Sequence, residues 1–429
     1  MITLMIVLFG ALFFFLGYGI PIAVAIGFAT LVTFIFSDVP VLIMVQRLYA
    51  GIDSFTLMAI PFFMLAGALM ETGGMSRRLV RFANALVGTI AGGLAHVQVL
   101  GSSFFAALSG SSPATTAAIG AALIPEMNKQ GYPKNFSAAV QAVAGTIGTI
   151  IPPSIPMVLF AVCANVSIGK LFMAGMIPGI IYGFGLMCMI YYIAKKEKFA
   201  QQSAAKFSFK ELWDSFKDAV WALLVPVIIL GGIYTGIFTP TEAGAVAAAY
   251  GLLAGSLIYK ELSFKLTVKV FITSAVNVSM VLLIVSCASA FSWLLNMKGV
   301  ASMIGAWFGT VSSSPAIFLL LVIMLLLAMG CFMECAASVL MITPVLMPAA
   351  KLMGIDPIHF GVVVVMTLSL GMATPPVGEN LYIAASIAGI KFESLLKYAW
   401  RFIAVAIVAI LLVTYVPAIS LFLPNLFLK

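Results

Sequence analysis

This chain is short of charge. Of its 429 residues, 8% are Asp, Glu, Lys or Arg, where a soluble domain carries roughly 25%. With 63% hydrophobic residues and a mean hydropathy of +1.18, it cannot cover a globular surface in water and belongs in a bilayer. Histidine is nearly missing: His96 and His359 are isolated, and His359 is expected in a loop. The five cysteines all lie in apolar segments. Cys331 and Cys335 could share a helix face, but no third or fourth ligand lies near them, so small apolar filler is the better reading. A G-x-x-x-x-G-K-[ST] phosphate loop, a G-x-S-x-G elbow and a His/Cys/acid cluster are also missing. Their absence argues against an ATP-driven pump and against a membrane-embedded enzyme.

What is present is a series of apolar runs of about 15–30 residues, the length of helices crossing a core about 30 Å thick. Barrel strands would instead alternate with period two over about ten residues. The length allows roughly ten spans. The net charge of +8 is gathered in a few loops, which reads as membrane topology rather than nucleic-acid binding. The start, ITLMIVLFGALFFF, has no basic n-region or small-residue cleavage site and is expected to be an anchor.

Residues 2–36, interrupted by GYGIP, read as two spans, about 2–17 and 20–36. An amphipathic surface stretch from Val39 to Phe55 and a span at 55–71 follow. Residues 88–127 are hydrophobic but split by SGSS, with Arg77, Arg78 and Arg81 before them and Lys129 and Lys134 after. Both ends therefore face one side, which makes this piece a re-entrant hairpin. A broken span at 135–167 and another span at 170–194 complete a first repeat, 1–194. The polar connector 195–218 precedes a second repeat, 219–429, with spans near 219–237, 240–259 and 270–297. A hairpin at about 312–350, a broken span at 359–390 and a last span at 402–427 follow. Lysine and arginine placement puts the first hairpin's ends, the connector, the Lys260–Lys269 loop and the Lys391–Arg401 segment in the cytoplasm. The second hairpin, with only Lys298 and Lys351 at its ends, enters from the opposite side. The fold class is thus an all-α polytopic membrane protein of two inverted repeats, both termini periplasmic, each repeat with a re-entrant hairpin and a broken helix.

The repeat carries the functional signal. Pro125, Gly131, Gly148 and Pro152-Pro153 recur as Pro348, Gly354, Gly371 and Pro375-Pro376, each 223 residues on. Paired interruptions in two hydrophobic halves point to the binding site of a secondary transporter. Irregular backbone at mid-membrane must be buried in protein or line a cavity. The first hairpin tip is Ser109-Gly110-Ser111-Ser112-Pro113, with Ser112 expected to cap the helix that follows and Pro113 to open it. The first break is Gly148-Thr149-Ile150-Ile151-Pro152-Pro153-Ser154, with Ser154 as cap. The second tip lies near Met333-Glu334-Cys335, and the second break runs from Gly371 through Thr374, Pro375 and Gly378 to Glu379. Half-helix N-termini suit a carboxylate, and unwound carbonyls suit Na⁺. No Lys or Arg sits at these tips. Hydroxyls, helix ends and bound Na⁺ would have to hold an anion, and Glu334 and Glu379 are the acids placed nearest. Glu242, in TPTEAG, is expected to cap a helix start.

SGSSPATTAAIG with IPEM, TIIPPSIP, IYTGIFTPTEAGAVAAAYG and TPPVGENLYIAASI together resemble the large membrane subunit of TRAP (tripartite ATP-independent periplasmic) transporters, the DctM or SiaM type, over nearly the whole chain. The resemblance implies a bacterial inner-membrane importer of organic acids, of the sialic acid or C4-dicarboxylate class, driven by Na⁺ and needing no organic cofactor. It implies two partners, a periplasmic substrate-binding protein and a small four-helix membrane subunit, and an elevator fold in which hairpins and broken helices slide against a scaffold. Carried over by position, Ser109, Gly110, Ser111, Ser112, Gly148, Thr149 and Pro152 would surround one Na⁺. Gly371, Thr374, Pro375 and Gly378 would surround a second, with Ser109, Ser154 and Glu334 on the substrate side. Glu334 stands where relatives often carry Asp. A stand-alone Na⁺ or H⁺ carboxylate symporter of related fold is the alternative.

Overall fold

A computed structural model of the chain describes residues 2–37, 39–197, 207–297, 299 and 314–428. Lys298, the middle of the polar connector and the first residues of the expected second hairpin lie outside the described residues. The described residues contain no β-strand, and eight helices are long and apolar enough to cross a membrane.

The first repeat opens with α1 (Ile2–Gly17), α2 (Ile22–Ile35) and α3 (Val41–Ala50). A 3₁₀ turn (Phe55–Met58) leads into α4 (Ala59–Thr72), and α5 (Met75–Val87) follows. The first hairpin is α6 (Gly93–Ser109) and α7 (Ser112–Lys129). The broken helix is α8 (Lys134–Ala144), a 3₁₀ turn (Gly145–Thr149) and α9 (Ile155–Ala164). Then comes α10 (Ile168–Glu197). The second repeat has α11 (Phe209–Tyr234), α12 (Pro240–Leu253) and α13 (Phe264–Met297). Its hairpin is α14 (Pro315–Phe332) and α15 (Cys335–Leu352). Its broken helix is α16 (Pro357–Gly371) and α17 (Glu379–Ala388), before α18 (Phe392–Tyr415) and α19 (Ala418–Phe427).

Three expectations are corrected. The last span is two helices, because Pro417 interrupts the ladder after Tyr415 and α19 starts afresh. His359 is in a helix rather than a loop: Asp356 accepts from the amides of Ile358 and His359 and so starts α16 early. The His359 ring is then buried between the Ser420 hydroxyl (2.8 Å) and the Thr414 carbonyl (3.1 Å). Cys331 and Cys335 fall on different helices, α14 and α15, either side of a hairpin tip. Glu242 does cap: it closes a reciprocal capping box with Thr239 at the start of α12.

The inversion of the repeats can be read along α18, a helix about 36 Å long. Near its N-terminus, the Ser394 carbonyl accepts from Asn135 at the start of α8, just beyond the first hairpin. There too, Tyr398 and Arg401 bind Glu197 at the end of α10 (2.5 and 2.8 Å). At its far end the Tyr415 hydroxyl donates to the Ala316 carbonyl (3.1 Å), in the first turn of the second hairpin. The two hairpins therefore enter from opposite ends. Pairing between the repeats is reciprocal: α7 packs on α17 and α15 on α9, while α4 packs on α12 and α13 on α2.

One end of the molecule is basic. There Arg78, 18% exposed, holds Asp218 (3.2 Å) and Glu261 (2.8 Å) and lies 3.8 Å over the Tyr259 ring. Arg77 pairs with Glu261, and Arg81 with Glu211 and Asp218. The hydrogen bond from Arg81 to Glu211 pushes the already high guanidinium pKa further up. This network ties the amphipathic α5 to α11 and to the turn after α12.

Candidate functional site

At the first tip, Ser109 ends α6 and Gly110 turns the chain with φ +59°. The cap of α7 is Ser111, whose side chain accepts from the Ala114 amide; Ser112 is the first helical residue and Pro113 the second. This shifts the expected cap by one position, because Ser111 has the extended backbone a cap requires (φ −133°, ψ 132°). The Ser109 hydroxyl lies 2.9 Å from Thr115 Oγ1, which itself donates to the Ser111 carbonyl (2.8 Å). Ser154 caps α9 and donates to the Thr149 carbonyl (2.6 Å). Tip and break are joined by the Ile155 amide, which donates to the Gly110 carbonyl (3.2 Å).

The second repeat repeats this join. The Gly378 amide donates to the Cys331 carbonyl (3.0 Å), and Gly378 lies 223 residues after Ile155. Both Pro-Pro bonds, Pro152-Pro153 and Pro375-Pro376, are cis. Gly371 lies against Gly330 of α14 so closely that a Cβ there would sit 2.5 Å from the Gly330 Cα. Glu334, with extended backbone, occupies the N-cap position of α15.

The two broken helices cross where they break. Ser369 Oγ donates to the Thr146 carbonyl (2.8 Å) and meets Thr149 Oγ1 at 2.5 Å. Thr146 and Ser369 are 223 residues apart, the repeat offset itself. Equivalent residues that touch each other lie on the two-fold that relates the repeats. Beside this crossing, Asn380 Nδ2 donates to Ser112 Oγ (2.7 Å) and to the Ala142 carbonyl (3.1 Å), pinning the second break to the first hairpin.

Around this centre is a cavity of about 210 Å³. Ser109, Gly110, Ser111, Ser112 and Thr149 come to it from the first repeat, Glu334 and Met372 from the second. The other sequence-derived positions stand behind or beside it. Ser154 is buried (1% exposed) beneath Thr149. Gly148 backs onto the Ser111 carbonyl and Thr115. Pro152 lines a separate apolar crevice between α5, α6, α10 and α11. Gly371, Thr374, Pro375 and Gly378 form the neighbouring turn, where Thr374 Oγ1 donates to the Leu370 carbonyl (2.8 Å). Glu379 is not among the cavity's lining.

Sequence reasoning missed the opposite wall. Met64, Gly67, Ala68 and Glu71 of α4, with Asn277 and Val281 of α13, close the cavity. Two of these carried a signal: Glu71 is an acid at the end of an apolar span, and Asn277 is an amide near the middle of a 34-residue apolar helix. Among the described residues the lining holds two carboxylates, Glu71 and Glu334, and no lysine or arginine. Such a cavity can take cations directly, and an anion only through hydroxyls, helix N-termini and accompanying cations.

Comparison with known proteins agrees with this architecture. The sequence pattern of the family described as "Tripartite ATP-independent periplasmic transporter, DctM component" matches residues 9–419. The chain belongs to this family. It is 44% identical over 418 residues to the isethionate TRAP transporter permease protein DctMQ of Oleidesulfovibrio alaskensis, covering 97% of this chain and 66% of that relative. It is 40% identical to the C4-dicarboxylate TRAP transporter large permease protein DctM of Rhodobacter capsulatus, covering 98% and 99%. It is 37% identical to the sialic acid TRAP transporter large permease protein SiaM of Vibrio cholerae, again covering 98% and 99%. In fold it is similar to the Alcanivorax borkumensis YdaH transporter, with TM-score 0.60 at 13% identity and 87% of each chain covered. These relatives are permeases, not enzymes.

Proposed function

We propose that this chain is the large membrane subunit of a bacterial inner-membrane TRAP importer that takes up a small organic acid with Na⁺. The convergence of both hairpin tips and the crossed breaks on one cavity, lined among the described residues by no lysine or arginine, carries the reading. We assign the oxygen donors for coupling ions to the backbone of the two breaks, Gly148–Thr149 and Gly371–Thr374, and the substrate side to Ser109 and Glu334. The partners are a small membrane subunit and a periplasmic binding protein, and the basic end faces the cytoplasm by the positive-inside rule, which leaves both termini in the periplasm.

The contacts support an elevator displaced toward the basic end. Gly67 of α4 meets the Leu108 carbonyl and Ser109 Cα, a Cβ there falling 2.9 and 3.2 Å from them. Gly67 lies five residues, about 8 Å of helix rise, from the basic end of α4, whereas Ser109 lies sixteen residues, about 24 Å, from the start of α6. The hairpin tip thus meets the scaffold roughly 16 Å lower than two level helices would.

The test is uptake into proteoliposomes holding this chain with its small subunit, with the binding protein outside. Isethionate, succinate and sialic acid should be compared under an inward Na⁺ gradient. One of them should accumulate, and only with all three components and Na⁺ present. Uptake by this chain alone would favour the stand-alone symporter, and uptake indifferent to Na⁺ would remove the coupling ion.

A further inference from the structure

A second cavity, about 320 Å³, lies between α13, α9 and α15. Its wall on α13 includes Val285, Ala288, Ser292 and Asn296. These continue the helix face that presents Asn277 and Val281 to the first cavity. From Asn277 to Asn296 this face rises about 28 Å, so the two cavities follow one another along a single helix.

Their chemistry is opposite. The first is lined by two carboxylates; among the described residues no acid lines the second. Ser289, Ser292 and Asn296 form no side-chain hydrogen bond among the described residues, whereas Ser286, off this wall, donates to the Leu48 carbonyl (2.8 Å). Trp293 also lines the cavity, and the Arg47 guanidinium sits over its ring, 5.2 Å from the centroid. Arg47 is exposed and has no ion pair among the described residues, although Arg77, Arg78, Arg81 and Arg401 all have one. Its place is built. Gly51, at the end of α3, touches Ser289 so closely that a Cβ would collide with that side chain, which seats α3 on α13 with Arg47 over Trp293.

We propose that this second cavity is an anion-accepting site: Arg47 draws in a small carboxylate or sulfonate, and Ser289, Ser292 and Asn296 bind its oxygens. The inference rests on the reading that the chain carries an organic acid, and it supplies the cation that the first cavity lacks. A guanidinium stays charged at any working pH. With no ion pair among the described residues and beside a low-dielectric cleft, it raises the local concentration of anions and lowers that of cations.

The test uses the full chain with Ser292→Cys, reconstituted with its small subunit in lipid nanodiscs. Labelling by the anionic 2-sulfonatoethyl methanethiosulfonate is compared with labelling by the cationic trimethylammonioethyl analogue, read at residue 292 by peptide mass spectrometry. Adding Arg47→Gln should lower the anionic-to-cationic rate ratio about tenfold, since one charge acts on the two reagents with opposite sign. Arg47→Lys should keep the ratio within about twofold, and high salt should shrink the effect. A ratio unchanged by Arg47→Gln overturns the proposal. So does a ratio that falls equally at Cys188, an exposed thiol on α10. Uptake is not read, so a failed transport assay beside an Arg47-dependent ratio counts against the function proposed above and not against this site.

Discussion

Gly371→Ala isolates the close approach on which the second tip depends. A Cβ at this position would lie 2.5 Å from the Gly330 Cα, 2.7 Å from its carbonyl carbon and 3.2 Å from the Cys331 nitrogen. All three are backbone atoms and cannot rotate away. Carbon contacts settle at about 3.5–4.0 Å, so α14 and α16 must part by roughly 1 Å. Overpacking of this kind costs about 1–3 kcal/mol, and the gain from alanine at a helix end offsets at most about 1 kcal/mol. A net loss of about 1–2 kcal/mol follows. The same parting draws the Cys331 carbonyl from the Gly378 amide, so the Na⁺ concentration for half-maximal uptake should rise severalfold. Gly231→Ala is the control: nothing lies within 4 Å of its Cβ position on α11, and alanine there should stabilise by about 0.5–1 kcal/mol. Thermal unfolding in detergent reads both. Gly330→Ala should cost about as much as Gly371→Ala, and the double substitution less than their sum, because both strain one contact. An unfolding midpoint for Gly371→Ala at or above that of Gly231→Ala would refute the reasoning.

Asn380→Ala removes buried donors to Ser112 Oγ and the Ala142 carbonyl and should cost about 2–3 kcal/mol in the same assay; an unshifted midpoint would show that those bonds carry no stability. Ser154→Ala removes the α9 cap and the bond to the Thr149 carbonyl, about 1–2 kcal/mol, and should weaken uptake with folded protein still recovered. Glu334→Gln keeps the shape of the second tip and removes a cavity charge, so uptake should fall without loss of folded protein; wild-type Na⁺-dependent uptake would take Glu334 out of the site. Arg78→Ala leaves Asp218 and Glu261 each short of a partner and removes the cover on Tyr259. Its cost, about 1–3 kcal/mol given the partial exposure of the acids, should change little when salt is raised if packing dominates.

The helical breaks were legible because each is written in residues that cannot continue a helix, Pro152-Pro153 and Pro375-Pro376, and because the second copy repeats the first at one spacing. The caps were legible to within a residue: a run of four hydroxyl and glycine residues at 109–112 offers several caps, and only the folded backbone selects Ser111. The opposite wall was not legible. Met64, Gly67 and Val281 read as ordinary span residues, since an apolar helix in a bilayer shows little polarity difference between the face toward lipid and the face toward a cavity. Glu71 was hidden for another reason. It adjoins Thr72-Gly73-Gly74, and an acid at the end of a span reads as solvated unless the fold brings a hairpin tip to it.

The distribution of polar bonds separates what could move from what it would move against. Inside the unit of hairpins and broken helices, Ser369 joins Thr146 and Thr149, Asn380 joins Ser112, and each second hairpin arm packs on the other repeat's broken helix. Breaking any of these exposes a buried donor or acceptor, so the unit holds together as one body. Toward α4 and α13 the contact is of another kind: Gly67 meets a carbonyl and a Cα edge to edge, and two cavities lie along the same boundary. Van der Waals contact over a glycine can be exchanged for the same contact one or two turns along the helix at little cost, whereas a buried hydrogen bond cannot. The proposed displacement follows this division, with hydrogen bonds kept within the carried body and smooth contact left for the surface it crosses.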